Sequence, residues 1–134
     1  MYAQSNISKT IHELSSILQI DLNIELGAIK LYDELENQWV IECPNNSDVI
    51  HIYSAVSRYD PNDFQLTNKL AKVLELNSRM DVVRGCWLAV NNLTSEITLN
   101  YSLPEALSNG QILSHALNNM RVIASDLVRL IEEQ

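Results

Sequence analysis

The chain has 134 residues, 46% hydrophobic and 19% charged, which fits one globular domain spanning 1–134 and excludes a disordered chain. Seventeen acidic and nine basic residues give a net charge of −8 and a pI near 4.7, a surface that repels phosphate backbones and anionic lipid and so argues against nucleic acid or membrane surfaces as partners. No run approaches the roughly 18 apolar residues of a membrane span, and the first residues lack the basic-then-apolar pattern of a secretory signal; the expected compartment is the cytoplasm, with no membrane insertion.

In chain order, Ile7, Ile11, Leu14 and Leu18 recur at i, i+4, i+7 and i+11 and predict a helix over 6–18, with Ser5 or Asn6 as cap. A strand is expected over 24–32, weakened or bulged at Gly27. A second strand follows over 38–43 and stops at Pro44, and a third covers 49–56 with apolar residues on both faces. Asp60-Pro61-Asn62-Asp63 predicts the start of a second helix over 61–77, whose stripe is Leu66, Leu70, Val73 and Leu74. Strands are expected over 86–91 and 95–101. Ser102 and Glu105 fit a capping box, Asn109-Gly110 interrupts, and from Gln111 onward a final helix carries an unusually wide apolar stripe. The order α-β-β-β-α-β-β-α with short strand connections predicts an α+β fold, a mostly antiparallel five-stranded sheet with helices on one face.

Motifs for chemistry are missing. Gly27, Gly85 and Gly110 are isolated, so no phosphate loop forms. His12, His51 and His115 lie on different elements without a second ligand at metal spacing, and no Cys-x-x-Cys pair exists. No serine sits in a nucleophile elbow. Cys43 and Cys86 lie in apolar runs and read as buried thiols. The sequons at Asn6, Asn45 and Asn92 carry no meaning in a cytosolic chain, and Glu132-Glu133 reads as a solvated terminus. The expectation is a binding protein with no metal, no cofactor and no enzymatic activity.

Several motifs recur together: Leu74, Leu76 and Asn77 ending the second helix; Gly85, Leu88 and Ala89 opening a strand; Asn91-Asn92; Ile97 and Leu99; and Leu103-Pro104 before the long last helix. With Asp33, Val40, Ile41, Glu42 and Pro44 around the first hairpin, the chain resembles the Tir chaperone (CesT-type) family, the class I type III secretion chaperones. The family hairpin usually has a glycine after its aspartate, and Asp33-Glu34-Leu35 has none. The resemblance implies a cytosolic homodimer without catalysis that holds the N-terminal segment of one or a few secreted effectors in extended form, with the secretion ATPase as a further partner. A different reading of the same residues is a small regulatory or sensory domain that binds a folded partner or a metabolite.

Alternation assigns faces. Trp39, Ile41, Ile50 and Ile52 on the core side leave Val40, Val49, His51 and Tyr53 on the other, an apolar set of the kind that marks an interaction surface. Ile7, Ile11 and Leu14 are expected as a groove wall beside the first strand and Leu31. On the last sheet strand, Ile97, Leu99 and Tyr101 face the core and polar residues face away. Leu70, Val73, Leu74 and Trp87 are the expected dimer seam.

Overall fold

The computed structural model describes residues 2–22, 27–44 and 47–133, with side chains from Ile7 onward. Its elements are α1 (Tyr2–Leu18), β1 (Ala28–Tyr32), β2 (Gln38–Glu42), β3 (Val49–Arg58), α2 (Leu66–Asn77), a short α3 (Met80–Val83), β4 (Trp87–Asn91), β5 (Glu96–Pro104), one 3-10 turn (Glu105–Leu107) and α4 (Gly110–Glu132). The fold is α+β, with one antiparallel five-stranded sheet in the order β1-β2-β3-β5-β4. β1 and β4 are its edges. α1 begins at Tyr2, four residues before the expected start, so Ser5 and Asn6 lie within the helix and do not cap it; the start of the expected first strand, 24–26, lies outside what the structure describes.

The chain forms two compact units: residues 1–52 with 102–119, and residues 53–101 with 120–134. In the first, Ile7, Thr10, Ile11 and Leu14 bury one face of α1. Thr10 Oγ1 lies 3.4 Å from Ser108 Oγ, and that hydroxyl donates to Glu105 O at 2.7 Å. Gly110 opens α4 against α1; a Cβ built there would lie 2.5 Å from Glu13 Cβ and 2.8 Å from Leu14 N. Only glycine permits helix backbones this close. The glycine therefore seats the helix and does not interrupt it, and Asn109 caps it, its Oδ1 accepting from Ile112 N at 2.9 Å. The capping box expected at Ser102 and Glu105 does not form, because β5 continues through both Ser102 and Pro104.

The first hairpin has no glycine at its turn, and Asp33 holds it. Its Oδ1 accepts from the backbone N–H of Leu35 and of Asn37, both at 2.9 Å, and its Oδ2 from Trp39 Nε1 at 3.0 Å. The left-handed position falls on Glu36, at φ +65°. Partial burial pushes the Asp33 carboxyl up, but the Trp39 indole and the two backbone N–H groups outweigh it and hold the group below its ordinary range.

In the second unit, α2 begins at Leu66, five residues later than expected. Asp60 and Asp63 fold the preceding segment into two turns, accepting from Asn62 N and Gln65 N, each at 2.9 Å. The α4 end is tied down: Glu132 Oε1 accepts from Ser57 Oγ at 2.5 Å and from Lys69 Nζ at 3.3 Å, and Lys72 Nζ reaches Glu133 O. The bond from Ser57 and the charge of Lys69 draw the Glu132 carboxyl below its usual range against the opposing effect of burial. Glu132 and Glu133 are exposed, as a solvated end would be, and these bonds add an anchor to β3 and α2 that the sequence did not indicate. Thr98 and Asn100, expected on a polar outer face, are buried, and the Asn100 amide donates to Thr98 O and Oγ1, each at 3.0 Å.

Candidate partner-binding surface

The strand registers decide which main-chain groups remain for a partner. In the β1–β2 hairpin, Cys43 N donates to Gly27 O and Asp33 N to Asn37 O, so the odd-numbered residues of β1 exchange bonds with β2. Antiparallel alternation then directs the N–H and C=O of Ala28, Lys30 and Tyr32 away from the sheet. Lys30 and Tyr32 share a sheet face, since Lys30 pairs with Val40 and Tyr32 with Gln38. Tyr32 is 67% exposed and Leu35, in the hairpin turn, 79%. Neither was singled out from sequence, although an aromatic at the last residue of an edge strand is a readable signal.

The residues expected to touch a partner divide. Ile7, Ile11 and Leu14 are core residues of the first unit, not a groove wall, because α1 turns its whole stripe inward. Leu31 is buried opposite Trp39. Val40 is buried at 8% exposure, so the expectation that it stands free on the outer face is also corrected. Val49 is 38% exposed and His51 half-buried on the outer face of β3, with Ile50 and Ile52 fully buried on the other. Tyr53, in the second unit, is half-buried on the same alternation. Accessible in the first unit are the β1 edge with Tyr32 and Leu35, Val49 and part of His51 on β3, and, away from the strands, Ile17, Ile20, Leu107 and Ile112.

The expected seam divides as well. Val73 is buried beside Leu76 in the core of the second unit, and Leu70 is half-buried. Leu74 is 71% exposed and Trp87 39%, joined by Met80 and Val90 as exposed apolar residues of that unit. A cavity of about 360 Å³ there is lined by Arg58, Asp60, Asp63, Lys69 and Lys72 among others, charged groups of both signs beside Leu66 and Ile131. Cys43 and Cys86 are free buried thiols, and burial pushes Cys86 up to about 11. Among the described residues no group of three or more His, Cys, Asp or Glu is placed to hold a metal, and no helix is long and apolar enough to cross a membrane.

The same fold occurs in solved structures of secretion chaperone complexes. The chain aligns with the ExsC–ExsE complex at a TM-score of 0.75 and 13% identity, covering 96% of this chain and 93% of that one. It aligns with the ExoU–SpcU complex of the Pseudomonas aeruginosa type III secretion system at 0.66 and 16%, covering 90% and 96%. With the Yersinia pestis type III secretion chaperone SycH, bound to a fragment of YscM2, the values are 0.62 and 17%, covering 90% and 98%. No curated protein sequence matches the chain. The profile of the Tir chaperone protein (CesT) family matches residues 9–126, and the chain belongs to that family. Its class is that of an effector-binding secretion chaperone, from a family of chaperones and not of enzymes.

Proposed function

We propose that this chaperone works in the cytoplasm as a homodimer of one domain over 1–134, without catalytic activity, and holds the N-terminal segment of a secreted effector as an extended strand on β1. The observation that carries the reading is the β1 edge: Ala28, Lys30 and Tyr32 direct their main-chain groups outward, and exposed apolar side chains flank them. A peptide added to a sheet edge gains main-chain bonds for affinity and neighbouring side chains for selectivity. Related structures support it, since ExsC, SycH and SpcU are each seen with a second protein. Val49 and His51 extend the contact surface on the outer face. Exposed Leu74 and Trp87, with Leu70 at their margin, support a self-association seam. Family membership also supports the secretion ATPase as a partner of the loaded chaperone.

Proline at position 30 tests the strand. It removes only an outward N–H, which an edge strand tolerates, whereas Lys30→Ala keeps that N–H and loses the charge. The probe is the N-terminal segment of the effector that co-purifies from the native cell. Lys30→Pro should abolish its binding with the circular dichroism unchanged, and Lys30→Ala should retain most of it. Equal binding by both variants would overturn strand addition at β1, and capture of a folded domain in place of an extended segment would favour a regulatory domain.

A further inference from the structure

A five-stranded open sheet has two edges, and a chaperone that recognises clients by strand addition must keep one of them from pairing indiscriminately. The second edge is β4. Leu88 pairs with Leu99 in the β4–β5 register, yet its outward main-chain groups are not left to solvent. Asn77, the last residue of α2, lays its side-chain amide along them: Leu88 N donates to Asn77 Oδ1 at 2.7 Å, and Asn77 Nδ2 donates to Leu88 O at 3.0 Å. A carboxamide has the same donor–acceptor pair as a peptide group, so Asn77 gives Leu88 the two bonds that a neighbouring strand would give it. The site sits in the middle of a five-residue strand, where one blocked position leaves no run long enough to pair. Val90, of the same parity, is the one outward position C-terminal to it, and its side chain is exposed.

From this geometry we infer that Asn77 is a specificity-determining residue that closes the β4 edge to strand addition and leaves β1 as the edge that accepts a client. The inference rests on the proposed strand addition for its meaning, but its structural content stands apart from any client. A surface residue such as Gln or Glu cannot substitute, because the short Asn side chain at a helix end matches the reach to one strand residue. The same bonds dock the end of α2, so self-association through Leu74 and Trp87 is a matter of side chains and not of a continuous sheet through Leu88.

Hydrogen exchange read residue by residue on the full chain tests this without a client. In the native chain the Leu88 amide should exchange several-fold and up to about tenfold more slowly than that of Val90, the protection one hydrogen bond confers, and Asn77→Ala should bring it to the Val90 rate. Light scattering should then show Asn77→Ala forming assemblies larger than the native chain at the same concentration, and Val90→Pro added to it should restore the native mass by blocking the opened edge. If Asn77→Ala does not fold, the near-isosteric Asn77→Leu, which loses both the acceptor for Leu88 N and the donor to Leu88 O, is measured the same way. Unchanged Leu88 exchange in the variant would overturn the bonds. An opened Leu88 with native mass would overturn the closing role. Failure of Lys30→Pro to affect client binding, with both results here as expected, would sink the client reading and leave the closed edge standing.

Discussion

The two units differ in what their edge strands leave open and in how much of a helix stripe they bury. The first turns the full stripe of α1 inward, Ile7, Ile11 and Leu14 alike, and leaves main-chain groups open along β1. The second closes its edge strand with Asn77 and exposes Leu74 on α2, with Met80 and Trp87 beyond it in the chain. The lesson is that an amphipathic stripe does not by itself tell a core from an interface. The stripes of α1 and α2 look alike as patterns, yet one is consumed within its unit and the other only in part.

Truncating each stripe breaks or sharpens that contrast. Leu14→Ala should cost about 2–5 kcal/mol, because the side chain is fully buried and leaves a cavity; urea unfolding reads it, and a loss below about 0.5 kcal/mol would return α1 to the surface. Gly110→Ala should cost about 1–3 kcal/mol, since its Cβ would meet α1 at Glu13 and Leu14. Thermal unfolding would show a drop of several degrees, and an unchanged midpoint would mean that α1 yields without cost. Leu74→Asp should change protomer stability by less than about 0.5 kcal/mol while dissociating the proposed dimer, so that the mass by light scattering is about twice 15.2 kDa for the native chain and 15.2 kDa for the variant; a native chain already at 15.2 kDa would overturn the dimer, and unfolding of this variant would place Leu74 in the core.

The smallest effect is electrostatic. Asp33 has a folded-state pKa below its ordinary 3.8, so its contribution to stability is complete above that value and is lost as the pH falls through the lowered one. Stability measured from pH 5 down to pH 2 should decline less steeply in Asp33→Asn than in the native chain. Glu132 carries the same sign, and equal slopes in native and Asp33→Asn chains would assign the decline to it and to other carboxylates.

The order of the five strands and three long helices was legible in the sequence, though not the short α3 or the 3-10 turn, because periodicity and turn residues are local: the alternation of β3 gives the observed burial of Ile50 and Ile52 beneath half-open His51, and the spacing of α1 gives its buried face. The family was legible from the order of weak motifs. What the sequence could not supply were facts that need two distant segments at once. It read Gly110 as an interruption, although the reason for that glycine is the backbone of α1 nearly a hundred residues away. It placed Val40 outside by alternation, but burial depends on what covers a face, and here Val40 is covered. It took Asn77 as one letter of a motif, and only the register of β4 shows that its amide fills the place of a strand. Local chemistry fixed which residues form helices and strands, because hydrophobic period and turn propensity act over a few residues. The tertiary structure decided which of those surfaces stay open, because that depends on long-range packing and hydrogen-bond register, which no local pattern encodes.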